Sequence, residues 1–141
     1  MTIRHLTTDS DILLAWDAVS ALRPHLAFEH YLTQVRAQME EEGYRMIGAV
    51  IEPETIVAFA GFRNLHKLST GRGIYIDDLS TVPGHRGHGY AGALLDYIHA
   101  LAASEGKVCV ELDSGYHRRD AHRLYLNKKY YIASHHFHRD I

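Results

Sequence analysis

The segment Pro83-Gly84-His85-Arg86-Gly87-His88-Gly89-Tyr90-Ala91-Gly92 constrains this chain more than any other. Glycine in the interior of a helix or strand is destabilising by roughly 0.5–1 kcal/mol relative to alanine, so four glycines in ten residues mark a sharp turn between regular elements. Leu79 to Val82 before it reads as the end of a strand. Ala91, Leu94, Leu95, Ile98, Leu101 and Ala102 after it repeat at helical spacing and run to a stop near Glu105-Gly106. Where a strand turns into a helix in this way, the first backbone N–H groups of the helix have no intrahelical partner, and the helix dipole presents partial positive charge. Glycines and Ala91 let an anionic group reach those amides, and Arg86 adds a positive charge beside them. A tight turn that merely needs glycine is the plainer reading. Three glycines and an alanine between Arg86 and Gly92 make it the weaker one.

The rest of the chain gives this turn a domain to sit in. At 141 residues, with 46% hydrophobic and 23% charged residues, the sequence predicts one globular domain over residues 1–141. A net charge of −2 argues against a general nucleic-acid binder, which needs a basic face. The longest apolar runs fall far below the ~18 residues of a membrane span, and Met1-Thr2-Ile3-Arg4-His5 shows no signal-peptide core. The expectation is a cytoplasmic protein without a membrane partner. The single Cys109 excludes an internal disulfide and fits a reducing compartment.

Periodicity divides the chain into alternating elements. Thr2 to Leu6 reads as a short strand. Thr7-Thr8-Asp9-Ser10 caps a first helix bearing Ile12, Trp16 and Val19 and closed by Pro24. Phe28, Tyr31, Leu32, Val35 and Met39 stripe a second helix that stops at Gly43. Tyr44–Ile51 and Ile56–Arg63 flank Glu52-Pro53-Glu54-Thr55 as an antiparallel hairpin, and Leu65–Gly71 reads as a loop. Gly73–Val82 is a third strand whose apolar parity shifts between Ile76 and Leu79, which predicts a bulge near Asp77-Asp78. After the glycine turn and its helix come a buried strand at Val108–Leu112, a short helix from about Asp120 to Asn127 and a terminal strand, Tyr131 to His138. The order is β-α-α-β-β-β-α-β-α-β, an α/β chain with a mixed (α+β) sheet whose early strands are antiparallel.

Two phosphate-binding motifs compete for the glycine turn. Gly84 and Gly89 have Walker A spacing, but Tyr90-Ala91 stand where Lys and Ser or Thr are required, which excludes a P-loop. Gly87, Gly89 and Gly92 match G-x-G-x-x-G, and Asp113 lies 21 residues beyond Gly92, as a dinucleotide fingerprint requires. That alternative fits poorly behind an antiparallel hairpin, with only 28 residues after Asp113 for further parallel strands.

Leu79 to Ala91 resembles motif A of the GNAT superfamily of N-acetyltransferases, in which Arg or Gln, two residues, Gly, one residue, then Gly or Ala recur; Arg86, Gly89 and Ala91 satisfy it. Ala121-His122-Arg123-Leu124-Tyr125 resembles the family's second signature, an Ala four residues before a Tyr. The element order agrees with this GNAT-like acyl-CoA N-acyltransferase fold over nearly the whole chain. In one departure, Lys129-Tyr130 stand where the family usually has a Gly-Phe pair.

The resemblance implies acetyl-CoA as acyl donor and a primary amine as acceptor. By position, the amides of Gly87, His88, Gly89, Tyr90 and Ala91 would take the pyrophosphate with Arg86 alongside, and the backbone of Leu79, Ser80 and Thr81 would pair with the pantetheine arm. Tyr125 matches the family's proton donor to the departing thiolate; a phenol near pKa ~10 stays protonated at neutral pH. Asp113, Asp77 and Asp78 are the candidate bases, with a cap or turn role as the alternative for each, and His117 and His122 stand as further candidates. Arg118 falls where some members carry a cofactor-proximal Asn. The acceptor would sit against the first two helices and Leu65–Gly71, where Arg63, His66, Lys67 and Arg72 make a modestly basic neighbourhood. Small amines, polyamines, aminoglycosides, amino acids and protein N-termini all remain open, as does a homodimer.

The chain has 12 histidines. In a strand, His136 and His138 would share a face while His135 pointed away, leaving two ligands where a stable zinc site wants three or four. No metal is expected. A His-rich metal-binding module and an acetyl-CoA sensor without turnover are the non-enzyme alternatives.

Overall fold

The computed structural model describes all 141 residues, in two compact units: Met1–Glu111 and Leu112–Ile141. The first begins with β1 (Thr2–His5), α1 (Asp9–Leu14), α2 (Trp16–Leu22) and α3 (Phe28–Glu42). Thr8 caps α1 through a reciprocal box with Asp11, so the polar cluster in the sequence does what its composition predicts. The first predicted helix is two helices. At Ala15 the amide bonds back to Ile12 O at 3.2 Å, a tighter turn than the α-helix allows, and α2 restarts one residue later. Gly43 ends α3 in the left-handed conformation, φ +65°.

Strands β2 (Arg45–Ile51), β3 (Thr55–Lys67) and β4 (Gly71–Thr81) form an antiparallel meander with β1. The expected loop at Leu65–Gly71 is mostly strand, because Leu65, His66 and Lys67 pair with Gly73, Arg72 and Gly71 and leave only Leu68–Thr70 as the turn. The predicted bulge is present. Gly61 pairs with Asp78 and Phe62 with Ile76, so Asp77 has no opposite number on β3.

After the glycine turn, α4 (Tyr90–Ser104) carries the chain back to β5 (Cys109–Leu112), last in the sheet order β1-β2-β3-β4-β5. Val108 N–H donates to Arg72 O, and Gly73 lies against Cys109; the matches advance in the same direction on both strands, so β4 and β5 run parallel. One parallel pair on an antiparallel meander makes the sheet mixed, as expected, and it excludes the doubly wound parallel sheet of the dinucleotide alternative.

Both faces of the sheet are covered. Met46 joins Leu6, Ile12, Val19, Tyr31, Val35 and Phe59 in a cluster beneath α1–α3, while Ile47, next along β2 and therefore on the opposite face, is equally buried. Helix α4 packs across β2, β3 and β4. β5 is half-buried rather than the buried strand expected, and Val108 before it is exposed.

The second unit holds α5 (Arg119–Asn127) and ends without further regular structure. The expected strand Tyr131–His138 does not form, so the sheet has five strands rather than six. Its apolar residues Tyr131, Ile132 and Phe137 are 83%, 84% and 91% exposed, and β-branched and aromatic composition alone does not make a strand without a neighbour to pair with.

Candidate active site

The turn between β4 and α4 has the geometry its glycines imply. Pro83–His85 form one 3₁₀ turn, and Gly87 and Gly89 both adopt φ +80°, where side-chain-bearing residues are strained. A Cβ at either position would meet nothing within 4 Å, so glycine is required there by the backbone, and open space faces the loop. Gly89 caps α4 without a side-chain hydrogen bond, so the first-turn amides have no competing carboxylate or hydroxyl at the cap. His88 turns Nδ1 toward His85 O and Arg86 O, at 3.1 and 3.0 Å; two carbonyls require a donor, so Nδ1 carries the proton. Its ring stacks on Tyr90. Exposed Arg86 donates from Nε to Thr81 O at 3.4 Å, which keeps its charge beside the loop.

The strand leading into the turn is open along one edge. Leu79, Ser80 and Thr81 pair with Ala60, Phe59 and Ala58 on β3. On the other side, β5 starts beside Arg72 and Gly73 and, at four residues, ends at about the level of Ile76. The peptide groups of Leu79–Thr81 therefore run past the end of β5, and an extended amide-bearing chain can add to such an edge. β5 stops short after four residues, and a bulge such as the one at Asp77 bends the strand that carries it.

At the bulge the structure brings Asp77 and Asp78 together with two arginines and a tyrosine. Arg23, which ends α2, donates from Nε to Asp78 Oδ1 at 3.0 Å and from Nη2 to Asp77 O at 3.0 Å. Tyr44 donates to Asp78 Oδ2 at 2.7 Å. Arg63 shares its Nε–H between the two oxygens of Asp77, at 3.2 and 3.0 Å, and also pairs with Glu42. Burial, opposed by Arg63, raises the Asp77 carboxyl above its ordinary range. Burial and the neighbouring Asp78 push the Tyr44 phenol well above its own. The basic neighbourhood expected near Leu65–Gly71 is largely neutralised, since Arg63 holds Asp77 and Lys67 pairs with Glu111 at 3.0 Å.

Tyr125, Asp113 and Arg118 belong to the second unit. Tyr125 lies within α5, and burial raises its phenol pKa against the lowering pull of Arg118, so the group stays protonated at neutral pH. Helix α5 ends in a Schellman motif: Tyr130 N–H donates to Tyr125 O, and Lys129 N–H to Leu126 O, both at 3.0 Å. Lys129 takes the left-handed φ, +68°, which is where the family pattern has glycine. The rings of Tyr125 and Tyr130 meet edge to face, 6.0 Å between centroids. Asp113 faces His136, with Oδ1 and Nδ1 3.7 Å apart. His122 Nε2 lies 2.9 Å from Gly115 O and must donate to it, and the His117 ring folds over Gly115, so both histidines meet the chain at Gly115. No three His, Cys, Asp or Glu side chains gather closely enough to hold a metal ion.

Sequence reading missed Arg23, Tyr44 and Gly61 as members of the bulge cluster. A lone glycine inside the β-rich run Ile56–Arg63 was the available signal, because it marks a close approach. Arg23 left no signal of its own, being 54 residues from Asp77 and indistinguishable from an ordinary helix end.

A mixed sheet with a single parallel crossover, a bulged strand and an uncapped glycine turn between strand and helix define the class of the protein as α/β. Residues 12–129 match the Acetyltransferase (GNAT) family. The chain is 34% identical over 126 residues to the uncharacterized N-acetyltransferase YhdJ of Bacillus subtilis (strain 168), which covers 89% of this chain and 88% of YhdJ. Its fold is similar to those of a ribosomal-protein-alanine N-acetyltransferase from Brucella melitensis biovar Abortus 2308 (TM-score 0.83, 18% identity, 100% of both chains) and an acetyltransferase from Trypanosoma brucei (TM-score 0.81, 21% identity, 99% of each). The chain belongs to the acetyltransferase (GNAT) family, as motif A and the Ala121–Tyr125 signature imply.

Proposed function

We propose that this protein transfers the acetyl group of acetyl-CoA to a primary amine on a small molecule or peptide, in the cytoplasm. The observation that carries the reading is the glycine turn itself, with Gly87 and Gly89 at φ +80°, open space over both, and an α4 start that no side chain caps. The amides from Gly87 to Ala91 and the Arg86 guanidinium suit a diphosphate, and the edge of Leu79–Thr81 suits the amides of a pantetheine arm. Arg118 is assigned a supporting phosphate contact.

Acetyl-CoA supplies a thioester carbonyl that a neutral amine can attack. The N–C bond forms as the C–S bond breaks, so one proton must leave the amine and one must reach the thiolate. Tyr125, kept protonated by burial, is assigned the second. For the first, Asp77 is the best placed of the bulge acids: its raised pKa brings it nearer that of a working base, and one shared N–H leaves its oxygens able to accept again. Both oxygens of Asp78 are already engaged. Asp113 is the second candidate. Release of free CoA thiol from acetyl-CoA in the presence of a panel of amines tests the proposal. Acceptor-dependent release supports it; acetyl-CoA binding without release for any amine would make the protein a sensor instead.

A further inference from the structure

Residues from three elements converge on the bulge of β4: Arg23 at the end of α2, Arg63 on β3 and Tyr44 beside β2 hold Asp77 and Asp78. Asp77 has no partner across β3, because the register passes from Gly61↔Asp78 to Phe62↔Ile76. A bulge residue's carbonyl has lost its ladder position and needs another donor. Arg23 supplies it: Nη2 donates to Asp77 O at 3.0 Å while the same guanidinium holds the Asp78 carboxylate, with Nε at 3.0 Å and Nη2 at 2.8 Å from Oδ1. A planar guanidinium can span a main-chain oxygen and a carboxylate oxygen at once; an ammonium cannot hold both in that fixed geometry. Tyr44 closes the other carboxylate oxygen, so Asp78 is gripped from α2 on one side and from the start of β2 on the other. Leu79, Ser80 and Thr81 follow immediately on β4, and a bulge bends and twists the strand that carries it.

We infer that Arg23 is a positioning residue for the acyl donor: by fixing the bulge through Asp77 O and Asp78, it aims the Leu79–Thr81 edge at the amide-bearing arm of acetyl-CoA. The inference rests on the proposed use of acetyl-CoA and adds a residue to it from outside both family signatures. It makes the end of α2 part of the donor site, although Arg23 itself touches only the bulge.

The test is calorimetric titration of acetyl-CoA into the wild-type protein, Arg23→Met and Arg23→Lys, below the melting temperature of each. Amide hydrogen exchange is measured on the same three ligand-free proteins. Arg23→Met removes a fork of charge-assisted bonds and is expected to weaken acetyl-CoA about tenfold, with Arg23→Lys between it and wild type. In steady-state assays KM for acetyl-CoA rises by about the same factor, which a general loss of folded protein would not produce; kcat is no test here, because Arg23 also holds the main chain of Asp77, the assigned base. In the free protein, the amides of Leu79–Thr81 exchange faster in Arg23→Met while those of α4 stay unchanged. Wild-type binding with an Arg23→Met affinity within twofold of it, or unaltered exchange at Leu79–Thr81, overturns the inference and leaves the acetyl-CoA proposal standing. Failure of wild type to bind acetyl-CoA overturns that proposal itself, and the role of Arg23 in donor binding falls with it.

Discussion

The phenol of Tyr44 occupies the space that a side chain on Gly61 would fill: a Cβ built on Gly61 would stand 1.6 Å from the Tyr44 hydroxyl oxygen, 2.3 Å from Cζ and 2.7 Å from Cε2. Gly61 is also the residue that pairs with Asp78, the acceptor of that hydroxyl. One missing side chain therefore admits the donor that holds the bulge. Gly61→Ala is expected to destabilise the protein by about 1–3 kcal/mol, the range for overpacking a close-packed site. Denaturant unfolding measures it. Adding Tyr44→Phe removes the oxygen but leaves two ring carbons under 3 Å, so the double variant should recover little of the loss.

Lys129 holds φ +68° at the end of α5 so that Tyr130 can close the Schellman motif on Tyr125. A left-handed conformation costs a non-glycine residue roughly 1–2 kcal/mol, part of which glycine gives back as unfolded-chain entropy. Lys129→Gly should stabilise the protein by about 0.5–1 kcal/mol, read as a higher urea midpoint at unchanged slope. An unchanged or lower midpoint would show that the backbone strain is not felt.

Burial raises the phenols of Tyr31 and Tyr44, with Asp78 adding to both. A group whose folded pKa lies above its unfolded one keeps its contribution below the unfolded value and loses it above. The unfolded chain sheds those protons near pH ~10 while the native state keeps them, so stability falls as pH rises beyond that point. Melting temperatures between pH 8 and 11 should drop on the alkaline side. Tyr44→Phe, although less stable at neutral pH, should show a shallower alkaline slope; an equal slope would deny Tyr44 that role.

Tyr125→Phe keeps the ring packed against Tyr130 and removes only the proton. Turnover is expected to fall about 10²-fold, with acetyl-CoA affinity changed by less than twofold. Unaltered kcat would remove Tyr125 from the chemistry.

The local features were readable from residue types because the interactions that make them are local. The Thr8 cap, the Gly43 stop and the strand-to-helix turn at Gly87–Gly89 follow from side-chain and backbone preferences within a few residues. Even the bulge at Asp77 showed itself as a parity shift between Ile76 and Leu79. Interactions between distant segments did not. The break at the buried Ala15 leaves no mark in the apolar spacing of Ile12, Trp16 and Val19, and the Arg23 and Tyr44 grip on Asp78 joins residues 55 and 34 positions apart. The terminal segment shows the opposite error: Tyr131–His138 has the composition of a strand, but pairing is a property of a neighbour and not of the segment itself.

The central claim, that the glycine turn binds acetyl-CoA, is tested most directly by calorimetric titration of acetyl-CoA into the wild-type protein and Gly89→Val. Valine at φ +80° is strained and would put branched carbons into the open space over the loop. Saturable binding to wild type and at least about tenfold weaker binding to folded Gly89→Val is the expected result. No heat of binding in wild type, or equal affinity in both proteins, would contradict it.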